Sequence, residues 1–105
     1  KRTQEDLLIK EIVSFLHENS SNNKIIIFGS AVYDTRKAND IDLLITGNID
    51  FENKIKTFEK RLNLNFHIIK VEDLNIISNT LKNEIIEKHL IINCAEDIVK
   101  WMLKN

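Results

Sequence analysis

Proline is absent from this chain, glycine occurs twice, and cysteine, methionine, tryptophan and tyrosine occur once each in 105 residues. Without proline no turn is fixed by a pyrrolidine ring, so Gly29 and Gly47 are expected where the backbone needs a conformation that other residues avoid. A single cysteine, Cys94, excludes an internal disulfide and a cysteine-based zinc cluster, and fits a reducing interior with the cytoplasm as the expected location. The longest apolar run, Ile25 to Phe28, falls far short of the roughly 20 residues that a membrane-spanning helix needs, and no secretory signal peptide is visible. Neither sign of charge dominates, because 15 basic residues face 16 acidic ones for a net charge of -1. That balance argues against a broad basic surface for coating polyanions, and direct nucleic-acid binding is not expected.

What is present is the composition of a globular protein, 43% hydrophobic and 30% charged. The length suits one compact domain, residues 1–105, with no room for a second core and no linker. The chain begins at Lys1 without methionine, which raises the expectation that N-terminal residues are missing.

Thr3, with Asp6 three residues on, reads as a helix start, followed by Leu8, Ile12, Phe15 and Leu16 at helical spacing until a polar run from Asn19 to Asn23. Lys24 to Phe28 predicts a short strand buried on both faces and stopped by Gly29, and Asp40 to Thr46 predicts a second strand closed by Gly47-Asn48. Asp50 is placed to cap a helix whose Phe51, Ile55, Phe58 and Leu62 form one apolar stripe, with its charged face in solvent. Leu64 to Val71 predicts a third strand, with Leu64, Phe66 and Ile68 on one face and Asn65, His67 and Ile69 on the other. Helical spacing resumes after Asp73, with Ser78 to Thr80 as a point where it splits under a fresh cap. Leu90 to Ile92 reads as a fourth strand and Ala95 to Leu103 as a last helix. This order predicts a two-layer α/β (α+β) domain with a small mixed β-sheet flanked by helices.

Asp40 and Asp42 lie two apart in their strand, so both carboxylates project from one face while Ile41, Leu43 and Ile45 point to the core. Like charges held side by side call for a cation between them, and an oxygen-only donor set suits Mg²⁺. Gly29-Ser30 ends the preceding strand where a missing side chain lets a phosphate approach the backbone and a hydroxyl adds a hydrogen bond. If the two strands are neighbours, cradle and carboxylates meet at one edge, which suits metal-assisted phosphoryl or nucleotidyl transfer. Arg36 and Lys37, in the loop between them, are cations within reach of a triphosphate.

Other residues read more simply. His67 is expected as a strand-face residue beside Asn65, since neither His17 nor His89 stands at ligand spacing to it. Tyr33 and Trp101 are both candidates to stack on a base, Tyr33 the better by position, with Trp101 equally suited to cap the core or meet a partner, and Cys94 is expected as an inert buried thiol.

Gly29-Ser30, followed after nine residues by Asp40-Ile41-Asp42-Leu43-Leu44, resembles the signature of the DNA polymerase beta-like nucleotidyltransferase superfamily. The resemblance extends over residues 24–92, and the short length is similar to its minimal nucleotidyltransferase (MNT) branch. It implies Asp40 and Asp42 as catalytic and Mg²⁺-holding residues, Gly29, Ser30 and Lys37 as nucleotide-binding residues, and ATP as the substrate. It also implies a role as the antitoxin of a HEPN-domain ribonuclease toxin, to whose tyrosine some members transfer AMP. Two departures stand out. The Ala-Arg-Gly segment common after the Gly-Ser is here Ala31-Val32-Tyr33-Asp34, and the third carboxylate of the family is replaced by Asn65. A neutral amide cannot accept the proton of an attacking hydroxyl and binds Mg²⁺ more weakly. Two expectations follow: a Mg²⁺-dependent transferase of AMP to a partner protein, or a catalytically weak or inactive binding module of the same fold that neutralises or regulates a partner protein.

Overall fold

The computed structural model describes residues 4–35, 40–48 and 50–104. Along them run α1 (Gln4–Asn19), β1 (Ile25–Phe28), β2 (Ile41–Thr46), α2 (Glu52–Leu62), β3 (Phe66–Val71), α3 (Asn79–Glu87), β4 (His89–Asn93) and α4 (Ala95–Leu103), with short 3-10 turns at Gly29–Val32 and Leu74–Ile76. The expected cap Thr3 and the loop cations Arg36 and Lys37 lie outside the described residues.

The strands form one mixed sheet in the order β3-β2-β1-β4, with β1 antiparallel to both β2 and β4, and β2 parallel to β3. A parallel pair needs a crossover, which α2 supplies between β2 and β3. The central strand β1 sends Ile25 and Ile27 to one face and Ile26 and Phe28 to the other, all buried. Strand β2 does the same with Leu43 and Ile45 against Leu44.

Helices cover both of these faces. Leu8, Ile12 and Leu16 of α1 and Ile55 and Phe58 of α2 close the first core, while Ile85 of α3 and Ile98 and Trp101 of α4 close the second. The α+β class with a small mixed sheet flanked by helices is what forms, and the expected two layers are refined to helix, sheet and helix. The physical reason is that two central strands apolar on both faces must be covered on both. Each fully buried isoleucine or leucine contributes about 1.5–3 kcal/mol relative to exposure. Trp101 thus lies in the second core, with the Lys82 ammonium 5.2 Å over its ring. No helix among the described residues is long and apolar enough to cross a membrane.

Local chemistry sets the element ends. Asp50 does not cap α2: Phe51 is the N-cap, with no side-chain capping bond. Burial of the Phe51 ring, edge-on to Phe15 at 6.5 Å between centroids, sets where this helix begins. Asn63 ends α2 in the left-handed conformation, a role asparagine tolerates. Glu59 of the same helix accepts the Phe66 N–H at 2.7 Å and so fixes where β3 starts. The expected split before α3 is present. Asp73 accepts the Asn75 N–H at 2.8 Å, and Ser78 then caps α3 by accepting the Leu81 N–H at 3.2 Å. Cys94 is only half-buried, a correction to the expected buried thiol, because at the N-cap of α4 its Sγ lies against the Asn22 and Asn23 carbonyls of the loop, at 3.7 and 3.8 Å.

Candidate active site

The pairing of β1 with β2 decides what spacing alone leaves conditional. Phe28 stands opposite Asp42 in the antiparallel ladder, so the turn that begins at Gly29 emerges beside the Asp42 carboxylate. Gly29 has φ at +82°, and a Cβ added there would lie 2.7 Å from Asp42 Oδ2. Only glycine fits this position, for its backbone angle and for the space the carboxylate occupies. On its other side the Gly29 N–H donates to the Lys88 carbonyl at 3.2 Å, which anchors the turn to the end of α3. Ser30 follows on the surface, and its carbonyl accepts the N–H groups of Tyr33 and Asp34 at 3.2 and 3.0 Å. Thr35, which is buried, donates its hydroxyl to the Ala31 carbonyl at 2.9 Å and so closes this segment on itself.

Strand β3 lies beside β2 in parallel register, with Asp42 opposite His67 and the Ile41 N–H donating to the Asn65 carbonyl at 2.8 Å. Two side chains at the start of β2 therefore meet two at the start of β3, with Asp40 and Asn65 each just ahead of its strand. The Asn65 amide Nδ2 donates to Asp40 Oδ1, and His67 Nδ1 lies 3.1 Å from Asp42 Oδ1. A carboxylate can only accept, so the amide nitrogen and the N–H of the ring face the acids. His67 does lie on the strand face beside Asn65, as expected, yet it also engages Asp42, which the sequence did not announce. The available signal was its spacing: Asn65 and His67 are two apart, as Asp40 and Asp42 are. Register is what turns that spacing into contact.

Lys88 carried no signal in the sequence. Its Nζ lies 5.9 Å over the ring of Tyr33, which is 74% exposed, and its carbonyl holds Gly29. Lys88 thus lies beside the Gly29 turn, across β1 from Asp42, with its ammonium over the exposed Tyr33 ring. Trp101 is excluded from stacking on a base by its burial in the second core. The cavity of about 320 Å³ bordered by Lys24, Thr46, Glu72 and Trp101 includes none of Gly29, Ser30, Asp40 or Asp42. It lies by the far end of β2, whereas Asp40 and Asp42 stand at that strand's N-terminal end, Asp40 exposed and Asp42 partly so.

Among the described residues no group of three or more His, Cys, Asp or Glu is gathered to hold a metal ion. The donor set instead offers two carboxylates on one face, with Asp42 Oδ2 turned to the glycine cradle. That fits the habit of Mg²⁺, which takes one or two protein carboxylates and completes its shell with substrate phosphates and water.

A family model described as a nucleotidyltransferase domain matches residues 9–101. No curated protein gives a sequence match. Among solved structures, a toxin-antitoxin crystal structure with AMP-PNP is similar over 90% of this chain and 80% of that one, with a TM-score of 0.59 and 18% identity. A tri-AMPylated Shewanella oneidensis HEPN toxin in complex with MNT antitoxin matches over 94% and 81%, with a TM-score of 0.58 and 16% identity. A toxin-antitoxin MntA-HepT structure matches over 93% and 80%, with a TM-score of 0.56 and 15% identity. At these identities the likeness is one of fold.

Proposed function

The chain belongs to the nucleotidyltransferase domain family, and on that premise we propose that it transfers AMP from ATP to a partner protein in a Mg²⁺-dependent reaction, as the antitoxin of a HEPN toxin. The observation that supports this reading is the close approach of the Gly29 turn to Asp42 Oδ2: a phosphate received at the turn would lie against a carboxylate able to hold Mg²⁺.

Asp40 and Asp42 hold the Mg²⁺ in this reading, while Gly29 and Ser30 receive the phosphates at the turn. Lys37, which lies between β1 and β2 in the sequence, is assigned to the triphosphate, and Lys88 adds a second cation from the α3 end. Bound Mg²⁺ neutralises phosphate charge and polarises the phosphoryl group under attack. The acceptor hydroxyl forms a bond to the α-phosphorus and pyrophosphate leaves, so the turn and the carboxylates act by positioning and charge. Strand β3 offers no carboxylate for the hydroxyl proton, because Asn65 stands beside Asp40. The proton goes to a base from the partner or to water, which makes transfer slow.

The partner class is supported by the similar folds found in complexes of MNT antitoxin with HEPN toxin. A second reading is favoured by the Asn65 contact itself: the domain neutralises the toxin by binding and catalyses little. Labelled ATP incubated with the partner protein and with wild type or the Asp40→Asn/Asp42→Asn variant separates the two. Label on the partner with wild type alone supports transfer. Neutralisation of the toxin by wild type and variant alike, with no label on the partner, establishes the binding module.

A further inference from the structure

We propose that the site of this chain holds a single divalent cation where paired-cation sites hold two; this inference rests on the proposed role of Asp40 and Asp42 as metal ligands. Two doubly charged ions at the roughly 3.5–4 Å separation of paired sites repel each other strongly, and carboxylates around them must offset that repulsion. The described residues supply two such groups and no third. Just ahead of β3, where a third carboxylate would face Asp40, Asn65 contributes an amide with no net charge, and its NH₂ end is turned to the acid. The amide oxygen, the one atom of Asn65 that could serve a metal, is therefore the one directed away from Asp40.

One carboxylate oxygen is left facing the turn. Oδ1 of Asp40 is engaged by Asn65, and Oδ1 of Asp42 is engaged by His67 at 3.1 Å. Oδ2 of Asp42 faces the bare Gly29 turn, where phosphates enter. One cation carried in with a triphosphate finds a carboxylate oxygen there and completes its shell with phosphate oxygens. A second cation, on the β3 side, meets an amide N–H₂ and an imidazole N–H, both donors that repel it. In place of a third carboxylate the chain has an amide and an imidazole that hold the two remaining acids in position.

The test counts Mn²⁺, a spectroscopic stand-in for Mg²⁺, in the wild-type protein loaded with an equal amount of α,β-methylene ATP, against nucleotide alone. Electron paramagnetic resonance reports both the number of ions bound per chain and whether two ions are close enough to couple. The expected result for wild type is one ion per chain with the spectrum of an isolated Mn²⁺, protein-dependent and lost in Asp42→Asn. Asn65→Asp is expected to bind two ions with a spin-coupled spectrum. Two coupled ions in wild type would overturn the proposal and leave the transferase reading standing. No protein-dependent ion in wild type would overturn both, and an Asn65→Asp variant that stays at one ion would overturn the part assigned to Asn65 in excluding the second.

Discussion

Replacing Gly29 by alanine puts two separable loads on one atom. The first is conformational: φ at +82° is left-handed backbone, which an alanine enters at a cost of about 1–2 kcal/mol. For a domain of this size that lowers Tm by roughly 5–15 °C. The second load is local. The new methyl would sit 2.7 Å from Asp42 Oδ2, so the carboxylate must retreat by on the order of 1 Å to recover ordinary contact. Mg²⁺ demands ligand oxygens at about 2.0–2.1 Å in near-ideal geometry, and a displacement of that size removes Asp42 from its shell. The nucleotide affinity measured with Mg²⁺ should then fall at least tenfold, or about 1.4 kcal/mol. Gly47→Ala is the matched control. Its φ is +78°, but a Cβ there meets only Asn23 Nδ2, at 3.3 Å and remote from the acids. Differential scanning calorimetry should show similar losses of Tm for the two variants, and titration calorimetry with α,β-methylene ATP and Mg²⁺ should show weakened binding for Gly29→Ala alone. Equal affinities in the two variants would refute the argument that the bare turn exists to admit the Asp42 carboxylate.

Three further outcomes are expected. His67→Ala removes a 61% exposed side chain, so stability should change by no more than about 0.5 kcal/mol in urea denaturation. Its loss frees the Asp42 carboxylate to rotate, and Mg²⁺-dependent nucleotide affinity should drop about tenfold by titration calorimetry. Lys88→Met keeps the carbonyl that holds Gly29 but removes the ammonium, so affinity for ATP should fall several-fold while affinity for AMP is nearly unchanged. Equal losses for the two nucleotides would place Lys88 away from the phosphates. Ile98→Ala, fully buried in the second core, should cost about 2–5 kcal/mol in urea denaturation and leave affinity per folded molecule unchanged.

The element types and their order were legible because each carries its own periodicity. The stripe of Leu8, Ile12 and Leu16 and the alternation in Leu64 to Ile69 state which faces are apolar without reference to the rest of the chain. The unbroken Ile25–Phe28 run likewise announced a strand covered on both sides. Ends were less legible, as Asp50 shows: its capping chemistry was right for a helix start, and the pull of Phe51 into the core outweighed it. The Gly29-Ser30 and Asp40-Ile41-Asp42 pair could be singled out by spacing, since local chemistry alone makes one a turn and the other a same-face pair of acids.

The strands, the helices, the turn and the paired acids are each encoded within a few residues, and the amino-acid order suffices to locate them. Which of them meet is a property of the folded chain. That β1 runs antiparallel beside β2, and β3 parallel on its other side, follows from long-range packing of both sheet faces and has no local signature. The register of β2 against β3 brings His67 to Asp42 and Asn65 to Asp40, and the pairing of β4 with β1 brings Lys88 to Gly29, across sequence separations that no window of spacing spans. Contacts of that kind are set by the one arrangement that buries both cores at once, and so they appear only when the chain has folded.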